Sequence, residues 1–246
     1  MDNNVTRIGL VVPPGNVAME REFAMYLADG IAMNVNRLSR PTPAVTKESL
    51  LEMINSVDQA VRDLAMCFPK PEIIIYGCTS GSFVSGPGRE GEIAQRITDG
   101  VGIKAVTTSS AILMGLEAVG AKRVFMLTPY IADVAAQEVA LLEHYGYELG
   151  GTDSFDCYDT RDIAKISTAE VEAVILRHAK EIEGCDSVFI SCTQLLTMDR
   201  IDAMEKALGK PVVTSNQASL WAALKMIGAP ASRDAPGRLF EGMRQA

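Results

Sequence analysis

Histidine is nearly missing from this chain, with two in 246 residues, His144 and His178. Both fall in segments with helical patterning, so chemistry that needs imidazole as its base has little to draw on. Cysteine is sparse and forms no recognisable pairing pattern. The five, Cys67, Cys78, Cys157, Cys185 and Cys192, are odd in number and include no CxxC and no Cys/His group with zinc spacing. A disulfide scaffold and a structural zinc are both excluded as readings, and free thiols in a reducing cytoplasm are the expectation. Positive charge is in deficit: 23 Lys+Arg against 31 Asp+Glu leave a net charge of −8. A nucleic-acid partner, which calls for a basic face, is therefore not expected. No apolar run approaches the ~20 residues of a membrane helix. The first residues, Met-Asp-Asn-Asn-Val-Thr-Arg, lack the basic-then-apolar order of an export signal.

What is present is an ordinary globular composition, 48% apolar and 22% charged. The length suits one large domain or two small ones. Short apolar runs at 7–12, 72–77, 123–128 and 187–191, with weaker ones at 103–106 and 211–214, read as strands. Unbroken apolar runs of this length suit strands covered on both faces, hence a parallel sheet. Helical patterns lie between them at 47–67, 88–99, 109–119, 132–145, 168–182, 198–207 and 216–227. This alternation predicts an α/β fold with right-handed crossovers.

An internal repeat sharpens the prediction. Arg7-Ile-Gly-Leu-Val-Val-Pro13 aligns with Arg123-Val-Phe-Met-Leu-Thr-Pro129, and Ile75-Tyr-Gly-Cys78-Thr79 with Phe189-Ile-Ser-Cys192-Thr193. Gly102–Thr107 aligns with Gly209–Thr214, and Val119-Gly-Ala121 with Ile227-Gly-Ala229. Four matches in one order describe two similar α/β halves, about 1–121 and 122–246. No glycine- or proline-rich linker separates them, so they are expected to pack closely, with room for the last helix to cross between them.

In each half a cysteine directly follows a buried strand and precedes threonine. Ligands of open parallel sheets bind beyond the carboxyl ends of the strands, which is where Cys78 and Cys192 belong. Related by a pseudo-two-fold axis, the two thiols would face each other across one cleft. Such a pair suits proton removal and return at a carbon acid beside a carboxylate, with one thiolate as base and one thiol as acid. It equally suits addition of one thiolate to an activated double bond, which then turns as a single bond. Backbone N–H groups at the strand-to-turn position, with the hydroxyls of Thr79, Ser80 and Thr193, can hold a carboxylate and stabilise enediolate charge. Asn16, in the turn Pro13-Pro14-Gly15-Asn16, offers a donor and an acceptor at the same edge, and Tyr130 occupies the repeat position of Pro14. Cys67 and Cys185 read as packing residues, and Cys157 is left open. Gly81–Gly88 lacks the spacing of a nucleotide loop, and no metal or cofactor is called for.

These residues resemble a known family. Strand-Pro-Pro, Gly-Cys-Thr-Ser-x-Ser-Phe, Thr-x-Tyr-Ile-x-Asp-Val, Ser-Cys at 192 and the closing Gly-Arg-Leu-Phe-Glu are similar to the Asp/Glu racemase superfamily, in the branch of arylmalonate decarboxylases and maleate cis-trans isomerases. The resemblance runs from Arg7 to Glu241. It implies two pseudo-symmetric α/β domains, each a parallel sheet flanked by helices, with the active site in the cleft between them. It also implies Cys78 and Cys192 as catalytic residues and Pro14, Asn16, Thr79, Ser80, Tyr130 and Thr193 as substrate-binding residues. The branch divides on one position: the decarboxylase carries glycine where this chain has Cys78, whereas racemases and maleate isomerases keep both cysteines. The binding loops here are nearer the decarboxylase. The expectation is a cytoplasmic, cofactor-independent isomerase or racemase of a small carboxylate or dicarboxylate. A malonate-type decarboxylase using Cys192 alone and a non-catalytic carboxylate binder on the same fold are the rivals. Assembly into a homo-oligomer is compatible with the sequence.

Overall fold

In a computed structural model, which describes residues 5–245, eight strands form two four-stranded sheets. They are β1 (Thr6–Val12), β2 (Ile31–Arg37), β3 (Ile73–Tyr76), β4 (Lys104–Thr107), β5 (Arg123–Tyr130), β6 (Glu148–Cys157), β7 (Ser187–Ile190) and β8 (Val212–Thr214). The orders are β2-β1-β3-β4 and β6-β5-β7-β8, every pair parallel. The repeat in the sequence is thus a repeat in the topology, with β1, β3 and β4 answering to β5, β7 and β8.

Local chemistry explains why the repeat keeps the residues it does. Thr107 and Thr214 each end a strand with extended backbone and cap the next helix, Thr107 accepting from the Ser110 N–H and Thr214 closing a capping box with Gln217. Gly102 and Gly209 stop the preceding helices at φ 70° and 68°, a left-handed conformation that favours glycine. The strands β3, β7 and β8 are buried along their whole length, as apolar runs in a doubly covered sheet must be.

Two strands escape the periodicity argument. Both are edge strands: β2 is half-buried almost throughout, and β6 carries polar residues with Gly150 and Gly151. A Cβ at Gly150 would run into the Cys185 sulfur, and one at Gly151 into the Glu181 carboxylate, so close packing rather than strand propensity decides those residues. The helices Ala18–Tyr26 and Thr79–Phe83 were also outside the sequence expectation. The patterns at 47–67 and 168–182 are each broken once, into Lys47–Ile54 with Val57–Ala65 and Thr168–Arg177 with Ala179–Ile182.

The halves are joined through buried polar groups. The helix Ser215–Ile227, which follows β8, packs against Thr108–Ala118 and also touches β3 and β4 of the first sheet. The Glu22 carboxylate, on the helix Ala18–Tyr26, accepts from the Thr197 N–H at 2.5 Å, the Met198 N–H at 2.7 Å and the Asn216 amide at 2.6 Å. Burial outweighs these donors and raises its pKa to about 7. A carboxyl raised in the native state binds its proton more tightly folded than unfolded. Its stabilising contribution is complete below about pH 4.5 and is lost as pH rises through 7. Urea midpoints are therefore expected to fall between pH 5.5 and 8.5, by on the order of 2–3 kcal/mol for this group. Glu138 titrates in the same window, so the share of Glu22 is read from the difference between the parent and a Glu22→Gln variant, and identical profiles would show that Glu22 titrates normally.

Candidate active site

A cavity of about 290 Å³ opens where the carboxyl ends of both sheets meet, near the lower end of the roughly 300–1,000 Å³ of small-molecule pockets. Three connections from each half build it. Pro13–Asn16, Arg40–Val45 and Cys78–Ser80 follow β1, β2 and β3; Tyr130, Thr160–Ile163 and Cys192–Gln194 end or follow β5, β6 and β7. All eight residues singled out from the sequence, Pro14, Asn16, Cys78, Thr79, Ser80, Tyr130, Cys192 and Thr193, line this one space.

Cys78 is the N-cap of the helix Thr79–Phe83, and its sulfur accepts from the Gly81 N–H at 3.3 Å, with the Ser80 hydroxyl 3.8 Å away. Burial pushes this thiol's pKa up; the Arg40 charge, the Gly81 N–H and Ser80 oppose the rise by favouring thiolate. Cys192 sits at φ 95°, a left-handed conformation unusual for a non-glycine residue and held here by the structure around it. Its N–H donates to the Ser215 hydroxyl at 2.9 Å, and its sulfur accepts from the Gln194 N–H at 3.4 Å. Burial pushes its pKa up to about 12, with the Tyr130 phenol and the Gln194 N–H opposing, and the charges of Cys78 and Glu138 adding to the rise. The two thiols therefore share a cavity but not an environment: a cation favours thiolate at Cys78, while two potential anions disfavour it at Cys192.

The hydroxyls do more than line the space. Thr79 donates to Ser215 at 3.0 Å, linking the Cys78 loop to the residue that holds the Cys192 backbone. The Asn16 amide donates to the Thr193 hydroxyl at 2.8 Å, which in turn donates to the Gly77 carbonyl. Asn16 and Thr193 thus engage each other across the halves, and their first task is to fix the two loops in register. Gln194 reaches the Gly15 carbonyl at 3.0 Å, leaving its own carbonyl oxygen without a protein partner.

Sequence reasoning missed the roof and the cations. Arg40, Pro41, Pro43 and Val45 follow the edge strand β2; Thr160, Arg161 and Ile163 follow the edge strand β6. The two segments meet: the Val45 N–H donates to the Tyr158 carbonyl at 2.8 Å and the Thr160 N–H to the Pro43 carbonyl at 3.1 Å. Arg161 is exposed and paired with Asp159. Arg40 instead donates to two neutral oxygens, Ser49 Oγ and the Ala44 carbonyl, and no carboxylate pairs with it among the described residues. The proline-bracketed run Arg-Pro-Thr-Pro would have marked this loop had β2 been recognised.

Comparison with known proteins places the chain. The family model described as arylmalonate decarboxylase matches residues 8–240. The chain belongs to the arylmalonate decarboxylase family. Members of similar sequence carry two different activities. A maleate isomerase of Nocardia farcinica is 29% identical over 245 residues, covering 96% of each chain. An arylmalonate decarboxylase of Bordetella bronchiseptica is 29% identical over 241 residues, covering 95% of this chain and 96% of that one. A solved arylmalonate decarboxylase variant in its liganded form, with one glycine changed to cysteine and one cysteine to serine, superposes with a TM-score of 0.86. It is 29% identical, over 96% of this chain and 99% of that one. Two parallel sheets flanked by helices are thus an architecture shared with that structure, as the resemblance implied.

Proposed function

We propose that the protein is a cofactor-independent isomerase of a small unsaturated dicarboxylate, with maleate-to-fumarate conversion as the concrete reaction. The observation that carries this reading is the pair of cysteines in one cavity with their environments pushed apart. Burial raises the pKa of both thiols; at Cys78 the Arg40 charge, the Gly81 N–H and the Ser80 hydroxyl work against it, whereas at Cys192 the charges of Cys78 and Glu138 add to it. A decarboxylation that only reprotonates an enediolate needs one thiol; a reaction that must both attack and deliver a proton uses two.

In this reading the Cys78 thiolate forms a carbon–sulfur bond to one alkene carbon of maleate. The π electrons move onto the other carbon and into its carboxylate, giving an enediolate, and the carbon–carbon bond becomes single and turns. Cys192 gives its proton to the carbanionic carbon and takes it back, after which the carbon–sulfur bond breaks and the trans alkene forms. Protons and electrons balance over the cycle, with no external reductant or oxidant. The backbone N–H groups around the two cysteines, the Ser80 hydroxyl and the Tyr130 phenol are placed to hold the carboxylate on which charge develops. Tyr130 stays a phenol, because burial and the surrounding anions raise its pKa.

Arg40 selects for the second carboxylate, since it is a cation in the cavity wall with no anion of its own. Replacing it with leucine is expected to raise KM for maleate about 10–100-fold, the worth of one charge-assisted hydrogen bond. The matching unsaturated monoacid should share the slower turnover that comes from a less easily ionised Cys78 but show little change in KM. Equal losses for both acids would remove Arg40 from recognition. The reading as a whole is tested by incubating the parent chain with maleate, aspartate, glutamate and arylmalonates and following products and solvent deuterium by NMR and mass spectrometry. Fumarate from maleate supports it. Racemisation of an amino acid would keep the two-thiol chemistry and change the substrate. Carbon dioxide from an arylmalonate alone would favour the second reading, a decarboxylase resting on Cys192, for which the apolar rim of Pro41, Pro43, Val45 and Ile163 could seat an aryl group. Five free cysteines suit a reducing compartment such as the cytoplasm.

A further inference from the structure

Next to the strand end that carries Cys192 lies a carboxyl that the mechanism above does not use. Glu138, on the helix Ala132–His144, is 1% exposed. One carboxylate oxygen accepts from the Ser191 hydroxyl at 2.6 Å. Ser191 is the residue before Cys192. The Thr128 hydroxyl, which also acts on Glu138, accepts from the Tyr130 N–H. One buried acid therefore rests on both strand ends that deliver site residues from the second half.

The groups around it are accounted for. From β5 come Thr128 and Tyr130, and from the end of β7 Ser191 and Cys192. The helix Thr79–Phe83 brings no ionisable side chain, although Cys78 caps it. On β6, Asp153 is engaged by Arg177 and His178, and among the described residues no cation acts on Glu138.

We propose that Glu138 is a positioning residue for the Cys192 proton: its carboxyl, hydrogen-bonded to Ser191 at the strand end that carries Cys192, opposes thiolate formation there once it ionises and so holds the proton on Cys192 as the pH rises. The inference rests on the reading of Cys192 as the acid of the pair. Burial raises the Glu138 pKa to about 8, against the opposing Ser191 and Thr128 hydroxyls, so Glu138 ionises well before Cys192, whose pKa is about 12. Its charge therefore arrives while the thiol is still protonated, and the order of ionisation makes the coupling run from Glu138 to Cys192.

The test reads the thiol directly. In a Cys78→Ser background, alkylation of Cys192 by iodoacetamide is followed by peptide mass spectrometry from pH 6.5 to 10.5, with and without Glu138→Gln. With Glu138 present, the tenfold rise in rate per pH unit should flatten between about pH 7 and 9 and then resume. In the Glu138→Gln variant the flattening should vanish, leaving Cys192 about tenfold more reactive at pH 9.5, the effect of about one pKa unit. Glu138→Leu, which removes the charge and suits the buried site, should behave like the glutamine variant if the latter folds poorly. Superimposable profiles in a folded variant would overturn the proposal. The alkylation profile does not depend on substrate, so it stands apart from the isomerase reading: no turnover with any acid alongside a vanished flattening would sink that reading and leave this one intact.

Discussion

Cys78→Ser should fold as well as the parent and turn over at least about 10³-fold more slowly, because it removes the attacking sulfur and nothing else of consequence. Serine keeps an acceptor for the Gly81 N–H, the bond through which the Cys78 side chain caps the helix Thr79–Phe83, and serine is among the preferred N-cap residues. The melting temperature is therefore expected to stay within a few degrees of the parent. The serine hydroxyl is far less acidic than a thiol, and the help that Arg40 and the N–H groups give to sulfur is insufficient to ionise it. Initial rates of fumarate formation and a thermal melt decide the matter together. A serine variant within tenfold of the parent rate would end the nucleophile assignment, and with it the covalent mechanism.

Cys192→Ala should fail differently, and the difference separates the two roles. Cys78 still adds to the double bond, and the enediolate then takes a proton slowly from water. With no thiolate at position 192 to remove that proton, the saturated adduct has no efficient way back. Turnover is expected to fall about 10²–10⁴-fold, the usual worth of a positioned acid–base group. Intact-mass analysis should meanwhile show one substrate equivalent gained, mapping to Cys78. Finding no adduct, with the rate equally depressed, would point to pure proton transfer between two thiols instead. An active Cys78→Ala/Cys192→Ala double variant would dispose of both accounts.

The sequence announced three strands of each sheet and was silent about one edge, β2 in the first and β6 in the second. Strands β1, β3, β5 and β7 are apolar runs with the repeated sulfur, so Cys78, Cys192 and their hydroxyl neighbours were legible, and all eight candidate residues line one cavity. Strands β2 and β6 are half-buried, mixed in polarity and, in β6, rich in glycine that serves packing against Cys185 and Glu181. Missing those strands meant missing the loops that follow them, and with them Arg40, Arg161 and the proline-lined rim. Glu138 was hidden for another reason. On a helix with ordinary amphipathic patterning a glutamate reads as solvent-facing, and only three-dimensional packing shows it enclosed beside Ser191.

The antiparallel bridge between Ala44 and Asp159, flanked by the Val45–Tyr158 and Thr160–Pro43 hydrogen bonds, stitches the two lobes together directly above the reacting groups. With Asn16 clasped to Thr193 and Glu22 to Thr197 and Met198 below it, the lobes cannot swing apart like a clam without rupturing both seams at once. Any widening of the cavity is therefore expected to come from the short segments at 40–45 and 158–163, which help to line it, rather than from separation of the lobes. The tempo of exchange with bulk water is then expected to follow those two segments, and stiffening either one at a position other than Arg40 should change how fast product leaves.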